Sequence, residues 1–271
     1  MPRFAAGLEY DGRAYSGWQF QPGLNTVQDV VQRALSRVAD SPVDCVCAGR
    51  TDAGVHALAQ VIHFDSDAVR NERAWRLGAN TYLPNDVSLA WVREIAPHFH
   101  ARFSATARGY RYLIFNRDSR SALHFGRATW ERRPLDAARM HAAAQALTGE
   151  HDFSAFRAIE CQSKSPVRRV EAVTVRRAAD LVTLEITANA FLHHMVRNVA
   201  GLLMSVGHGE SAPERVPQVL AGRDRKANAA TAPPDGLYLT AVRYPAEFGL
   251  PGVPAGTDTG NRTQSAIIAG T

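Results

Sequence analysis

The chain has 271 residues, 45% of them apolar and 21% charged, and carries a net charge of +5. That length suits one large domain or two ordinary ones, and the composition excludes disordered and fibrous classes. No apolar run reaches the roughly 18 residues that a membrane-spanning helix needs, and the opening MPRFAAGLEYDG lacks the pattern of a secretory signal, so a cytoplasmic protein is expected.

RFAAGLEY (3–10) alternates weakly and reads as a strand ending at the Asp11-Gly12 turn. The next stretch, 11–25, carries three glycines and a proline and is expected to be an irregular loop. Thr26 stands where an N-cap belongs, ahead of VQDVVQRALSRVA, in which Val27, Val30, Val31, Ala34, Leu35 and Val38 recur at helical spacing. Two strand-like runs follow, at 43–50 and 58–65, with a turn around Asp52 between them. A helix near 71–81 and a strand at 87–95 complete a βαββαβ order.

The second half repeats that order. GYRYLIFN (109–116) reads as a strand, LDAARMHAAAQAL (135–147) as a helix stopped by Gly149, and 168–178 with 180–190 as a hairpin. HHMVRNVAGLLMSVG (193–207) reads as a helix and GLYLTAVRY (236–244) as the closing strand. The predicted fold is therefore α+β: two related βαββαβ halves of RRM or ferredoxin-like type, with antiparallel sheets joined around a central cleft and helices on the outer face. The expected divisions are 1–105, 106–248 and a tail, 249–271, rich in glycine and threonine.

Three cysteines, Cys45, Cys47 and Cys161, form no disulfide framework, and no CxxC or HExxH spacing supports a zinc site. Cys45 and Cys47 alternate along a strand, so both thiols face one way, into the core. Between His98 and Arg133 eight arginines (Arg102, Arg108, Arg111, Arg117, Arg120, Arg127, Arg132 and Arg133) are opposed in sequence only by Asp118 and Glu131. Aromatics are threaded among them in HFHARFSATARGYRYLIF, the combination that pairs with phosphates and stacks on bases.

The segment AGRTDAGVHALAQVIHF (48–64) places Asp52 in a tight turn between two strands, with Gly49 and Gly54 bracketing it and Arg50 two residues away. A neighbouring cation keeps a carboxylate ionised, which suits nucleophilic or electrostatic work. An Asx-turn, in which Asp52 merely accepts backbone N–H bonds, is the ordinary alternative.

That segment resembles the signature of the tRNA pseudouridine synthase A family (the TruA type). YDGRAYSGWQFQ (10–21), FHARFSATARGYRY (99–112), NAFLHHMVRNVAG (189–201) and DGLYLTAVRY (235–244) match in the same order. The resemblance implies an isomerase converting uridine to pseudouridine in the tRNA anticodon stem-loop, at positions 38, 39 and 40, working as a homodimer with no metal or organic cofactor. By the same likeness Asp52 is the catalytic aspartate, and Tyr110 the ring that stacks on the target base and helps remove a proton. Arg197 pairs with the carboxylate, Arg50 takes the place of the extruded nucleotide, and Leu237 lies beneath the uracil. Gly109 departs from the pattern, where a basic residue would be usual.

His193 and His194 resemble a metal pair, but neighbours on a helix point about 100° apart, so an RNA contact and a packing residue are expected instead. The glycine-rich loop at 12–23 lacks the order of a phosphate-binding loop and is expected to grip RNA. Two rivals remain in view: a non-catalytic RNA-binding protein, and a hydrolase with two acids, for which Glu9 and Asp65 are the available partners.

Overall fold

The computed structural model describes residues 1–251; of the expected tail, 252–271 lie outside the described residues. In chain order the first half consists of β1 (Arg3–Tyr10), α1 (Val27–Ala39), β2 (Cys45–Cys47), β3 (His56–Asp65), α2 (Glu72–Tyr82) and β4 (Val87–Ile95). The second half comprises β5 (Ala107–Asn116), β6 (Thr129–Glu131), α3 (Ala137–Ala144), β7 (Gly149–Asp152), β8 (Val167–Ala178), β9 (Leu181–Ala188), α4 (Met195–Gly207), α5 (Arg215–Gly222) and β10 (Leu237–Arg243). The expected order holds, with β6, β7 and α5 added to it. Each of those three has only three to eight residues, too short to show a periodicity.

All the strands join one sheet in the order β4-β1-β3-β10-β5-β9-β8-β7, with β2 on β3 and β6 on β5. The internal repeat is visible in that order, because β4-β1-β3-β2 and β10-β5-β9-β8 run alike. The halves meet through a parallel contact in which Tyr238 faces His56 and Leu239 faces Ala57. One edge of β3 is taken by β1. Its other edge is shared, with β2 on residues 62–64 and β10 on residues 56–57. The loop from β2 to β3, residues 48–55, is therefore held in the fork between the two halves.

Helix α1 buries Val27, Val31, Ala34 and Leu35 of the expected stripe, and Ala39 besides, while Val30 and Val38 pack at its margin partly buried. Thr26 occupies the N-cap position, but its hydroxyl makes no cap: the side chain is fully buried and Oγ1 finds no partner among the described residues. Strand β2 is shorter than expected, yet Cys45 and Cys47 are both buried while Val46 is exposed, as alternation requires. Gly109 lies within β5 between Thr187 and Ala241, where an added Cβ would come 3.2 Å from that of Ala241. A small residue suits this crowded place in the sheet.

One buried histidine makes stability depend on pH. His63 is 6% exposed, and its Nδ1 accepts the Ala101 N–H at 3.1 Å. Burial first, then His100 and Arg3, push its pKa down to about 4. The unfolded chain takes up this proton near pH 6.5, the folded protein only near 4. The contribution is thus whole above about pH 6.5 and lost as pH falls towards 4, on the order of 2 kcal/mol. Urea unfolding at pH 7 and pH 4.5 is expected to show a smaller loss for His63→Asn than for the parent; equal losses would contradict it.

Candidate active site

The loop 48–55 is fixed from below by groups of the first half. Gln60, fully buried, donates to the Gly49 carbonyl at 2.7 Å, and the Gly49 N–H returns a bond to its Oε1 at 3.4 Å. Tyr10 Oη and Thr51 Oγ1 lie 2.9 Å apart. The first part of the glycine-rich loop packs against this segment: Trp18 N–H donates to the Thr51 carbonyl, Gly54 N–H donates to the Tyr15 carbonyl, and both aromatic rings are buried, while residues 20–25 stay exposed and Gln19 and Gln21 line the cleft. Gly17, at φ +90°, approaches so closely that a Cβ would lie 2.7 Å from the Thr51 oxygen. Gly54, at φ +79°, lets the chain turn back, with the Val55 N–H closing onto the Asp52 carbonyl.

Held this way, the Asp52 side chain points to the second half. It accepts no backbone N–H among the described residues, which overturns the Asx-turn reading. Its hydrogen bond comes from Arg197 Nη1, which donates to Oδ2 at 3.3 Å. Arg197 is in the first turn of α4, 14% exposed, and is itself steadied by Nε donating to the Ala232 carbonyl at 2.8 Å. The carboxylate is 22% exposed, so it is recessed but reachable.

His193 and His194 correct the sequence reading. They precede α4, which starts at Met195, and His194 adopts the left-handed conformation at φ +62°. Off the helix, both rings converge on one group: His193 Nε2 is 3.3 Å from Asp52 Oδ1, and His194 Nε2 is 3.4 Å from Oδ2. Burial lowers the His194 imidazole below its ordinary value, against the pull of Asp52.

Tyr110 and Leu237 come from adjacent strands. Tyr110 pairs with Leu239, and Leu237 lies two residues along on the same face, so the ring and the leucine are diagonal neighbours. Both are buried, and the phenol ring meets Phe191 edge-on at 4.9 Å. Burial first, then Asp52, pushes the Tyr110 phenol far above its ordinary range. A hydroxyl held protonated suits stacking of the ring on a base.

Asp52, Tyr110, Arg197, Leu237 and Arg50 line one cleft of about 1210 Å³ between the halves. Arg50 is exposed there and makes no hydrogen bond or ion pair among the described residues. Glu9 and Asp65 are absent from the lining; Asp65 is held instead by Arg3 at 2.7 Å. The two-acid hydrolase therefore lacks both partners considered for it.

The arginine-rich stretch is also revised. The fold brings Glu185 to Arg111, Asp180 to Arg117, Asp11 to Arg127 and Glu210 to Arg133, none of them near in sequence. Arg102 and Arg168, like Arg50, line the cleft without an ion pair among the described residues. Arg108 is 9% exposed and donates to four carbonyls, those of Ala48, Arg102, Ala105 and Asn189, at 2.5–3.1 Å. It ties the start of the Asp52 loop to the second half. Arg108→Met is expected to lower stability by about 2–4 kcal/mol in denaturant unfolding, because four carbonyls, that of Ala48 buried and the others part-buried, lose their donor. An arginine serving only as a surface RNA contact would leave stability within roughly 0.5 kcal/mol.

Sequence comparison adds an independent finding. The family profile described as tRNA pseudouridine synthase matches residues 6–104 and 143–245. A tRNA pseudouridine synthase A of Methylococcus capsulatus is 60% identical over 248 residues, which is 92% of each chain. Proteins of the same name from Legionella pneumophila, 54% identical over 92% of this chain and 95% of the relative, and Coxiella burnetii, 51% identical over 94% and 98%, are similar along nearly their whole length.

Proposed function

The chain belongs to the tRNA pseudouridine synthase family, and from that premise we propose that its cleft isomerises uridine to pseudouridine in the tRNA anticodon stem-loop, at positions 38, 39 and 40. The observation that carries the assignment to this cleft is the recessed Asp52 carboxylate. It is gripped by Arg197 across the two halves, beside a buried phenol and a leucine. A non-catalytic RNA-binding protein gives no reason for that arrangement, and the named relatives are enzymes.

The reaction breaks the N1–C1′ bond, turns the base and forms a C5–C1′ bond, with no atoms gained. The target uridine must first leave its stacked position, at a cost of roughly a few kcal/mol. Arg50, Arg102 and Arg168, which line the cleft unspent on carboxylates, supply phosphate contacts to offset it, and in this reading Arg50 takes the gap left by the base. Tyr110 and Leu237 receive the faces of the uracil. Asp52 then attacks C1′, adds to C6, or removes the C2′ proton. Each route draws on the same requirement, a charged carboxylate in contact with the nucleoside.

In this reading residues 1–105 and 106–248 act as two halves of one catalytic unit, and the enzyme works in the cytoplasm as a homodimer with no metal or organic cofactor. No helix among the described residues is long and apolar enough to cross a membrane. The test is to incubate purified protein with tRNA lacking the modification and to map pseudouridine. New pseudouridine at positions 38–40 is expected; unchanged tRNA, or free uracil among the products, would contradict the proposal.

A further inference from the structure

We propose that Asp52, His193 and His194 form an inhibitory binding site for a late first-row divalent cation of the Zn²⁺ class. They are the one group of three histidine, cysteine or acidic residues among the described residues whose ligand atoms all lie within 4.8 Å of one another. Two imidazoles on one carboxylate distinguish this trio from the other histidine–carboxylate pairs among the described residues, such as His56 with Asp11 and His208 with Glu131. Tetrahedral Zn²⁺ with bonds of about 2.0–2.1 Å sets its ligand atoms roughly 3.3–3.4 Å apart. His193 Nε2 lies 3.3 Å from Oδ1 and His194 Nε2 3.4 Å from Oδ2, so each imidazole is near that spacing from its own carboxylate oxygen.

Neither imidazole makes a side-chain hydrogen bond among the described residues, although both Nε2 atoms stand beside a carboxylate. Each approach is close without being a hydrogen bond, and that leaves both nitrogens available to a metal. Two imidazoles and one carboxylate with an open fourth position suit Zn²⁺, Co²⁺ or Ni²⁺ and suit Mg²⁺ poorly. Arg197, on Oδ2, would remain as an outer partner of the ligating carboxylate. Its charge, with the positive end of α4, opposes a cation, so a roughly micromolar affinity is expected rather than that of a structural zinc site.

The cation would engage the carboxylate that the proposed chemistry requires, so metal and tRNA uridine exclude each other. The inhibitory half of the inference rests on the reading of this cleft as the uridine site; the binding half does not. The test therefore begins without tRNA. Chelator-treated full-length protein is titrated with Co²⁺, whose visible bands report four-coordinate geometry. One equivalent is expected to bind, to be displaced by Zn²⁺, and to lose affinity at least about tenfold in His193→Gln, His194→Gln and Asp52→Asn. Asp52→Asn keeps the side-chain shape, so a loss there cannot be put down to misfolding. Zn²⁺ should also inhibit tritium release from C5-labelled tRNA competitively with tRNA, while Mg²⁺ at equal concentration should not. Binding untouched by all three substitutions, or a thiolate charge-transfer band placing the metal on Cys161, would overturn the site. Binding without competitive inhibition would overturn the inhibitory role.

Discussion

Arg197→Gln is expected to lower pseudouridine formation by about 10²- to 10³-fold while leaving tRNA affinity within a few-fold. Arg197 is 14% exposed, and its guanidinium is shared between the Asp52 carboxylate and the Ala232 carbonyl. Removing it leaves a recessed carboxylate without its cation, a change that costs about 2–5 kcal/mol at comparable buried pairs. One factor of ten in rate corresponds to about 1.4 kcal/mol, so that cost spans roughly 30- to several-thousand-fold, and the stated range lies in its middle. Arg197→Lys should fall between the parent and Arg197→Gln. A lysine keeps the charge but has no planar fork with which to hold Ala232 and Asp52 together. Single-turnover rates, with tRNA binding measured in parallel, decide the matter. Equal loss of rate in the lysine and glutamine variants would show that geometry, not charge, is what Arg197 supplies.

Much of the fold was legible because the longer elements carry their period openly. The alternation in RFAAGLEY and LVTLEITA and the stripe of Val27, Val31, Ala34 and Leu35 give strand and helix directly, and their order exposes the internal repeat. The fork at β3 was not legible. It depends on two residue pairs between β3 and β10, which lie some 180 residues apart in the chain, and no local pattern encodes such a contact.

The site was legible in part for the same reason. Asp52, Arg50, Tyr110, Arg197 and Leu237 were found through motif resemblance, and the structure brings all five to one cleft. The convergence of His193 and His194 on Asp52 is not legible because the helical pattern of HHMVRNVAGLLMSVG runs two residues beyond the true start of α4 at Met195. A left-handed residue such as His194 leaves no periodic trace. Arg108 reads in the sequence as one more RNA-facing arginine because its partners are backbone carbonyls, which a sequence does not display; a charge inside the strand ARGYRYLIF is the available signal. Gln60 gave a similar one, a polar side chain at an inward position of HALAQVIHFD.

The larger effect is expected at Asp52. Replacing it with asparagine keeps the shape of the side chain and removes its negative charge, and every route open to the carboxylate needs that charge. Loss of a group that acts directly on the reacting atoms typically costs about 10⁴-fold or more. The surrounding loop is held by Gln60, Thr51 and Trp18 rather than by the carboxylate, so the fold and the tRNA-binding surface should survive. The decisive measurement is tritium release from C5-labelled tRNA under single-turnover conditions, with Asp52→Asn in excess and fully bound to its substrate. The account predicts a bound complex that releases no tritium beyond about 10⁻⁴ of the parental rate. Release at a tenth of the parental rate or faster would show that the chemistry resides in another group.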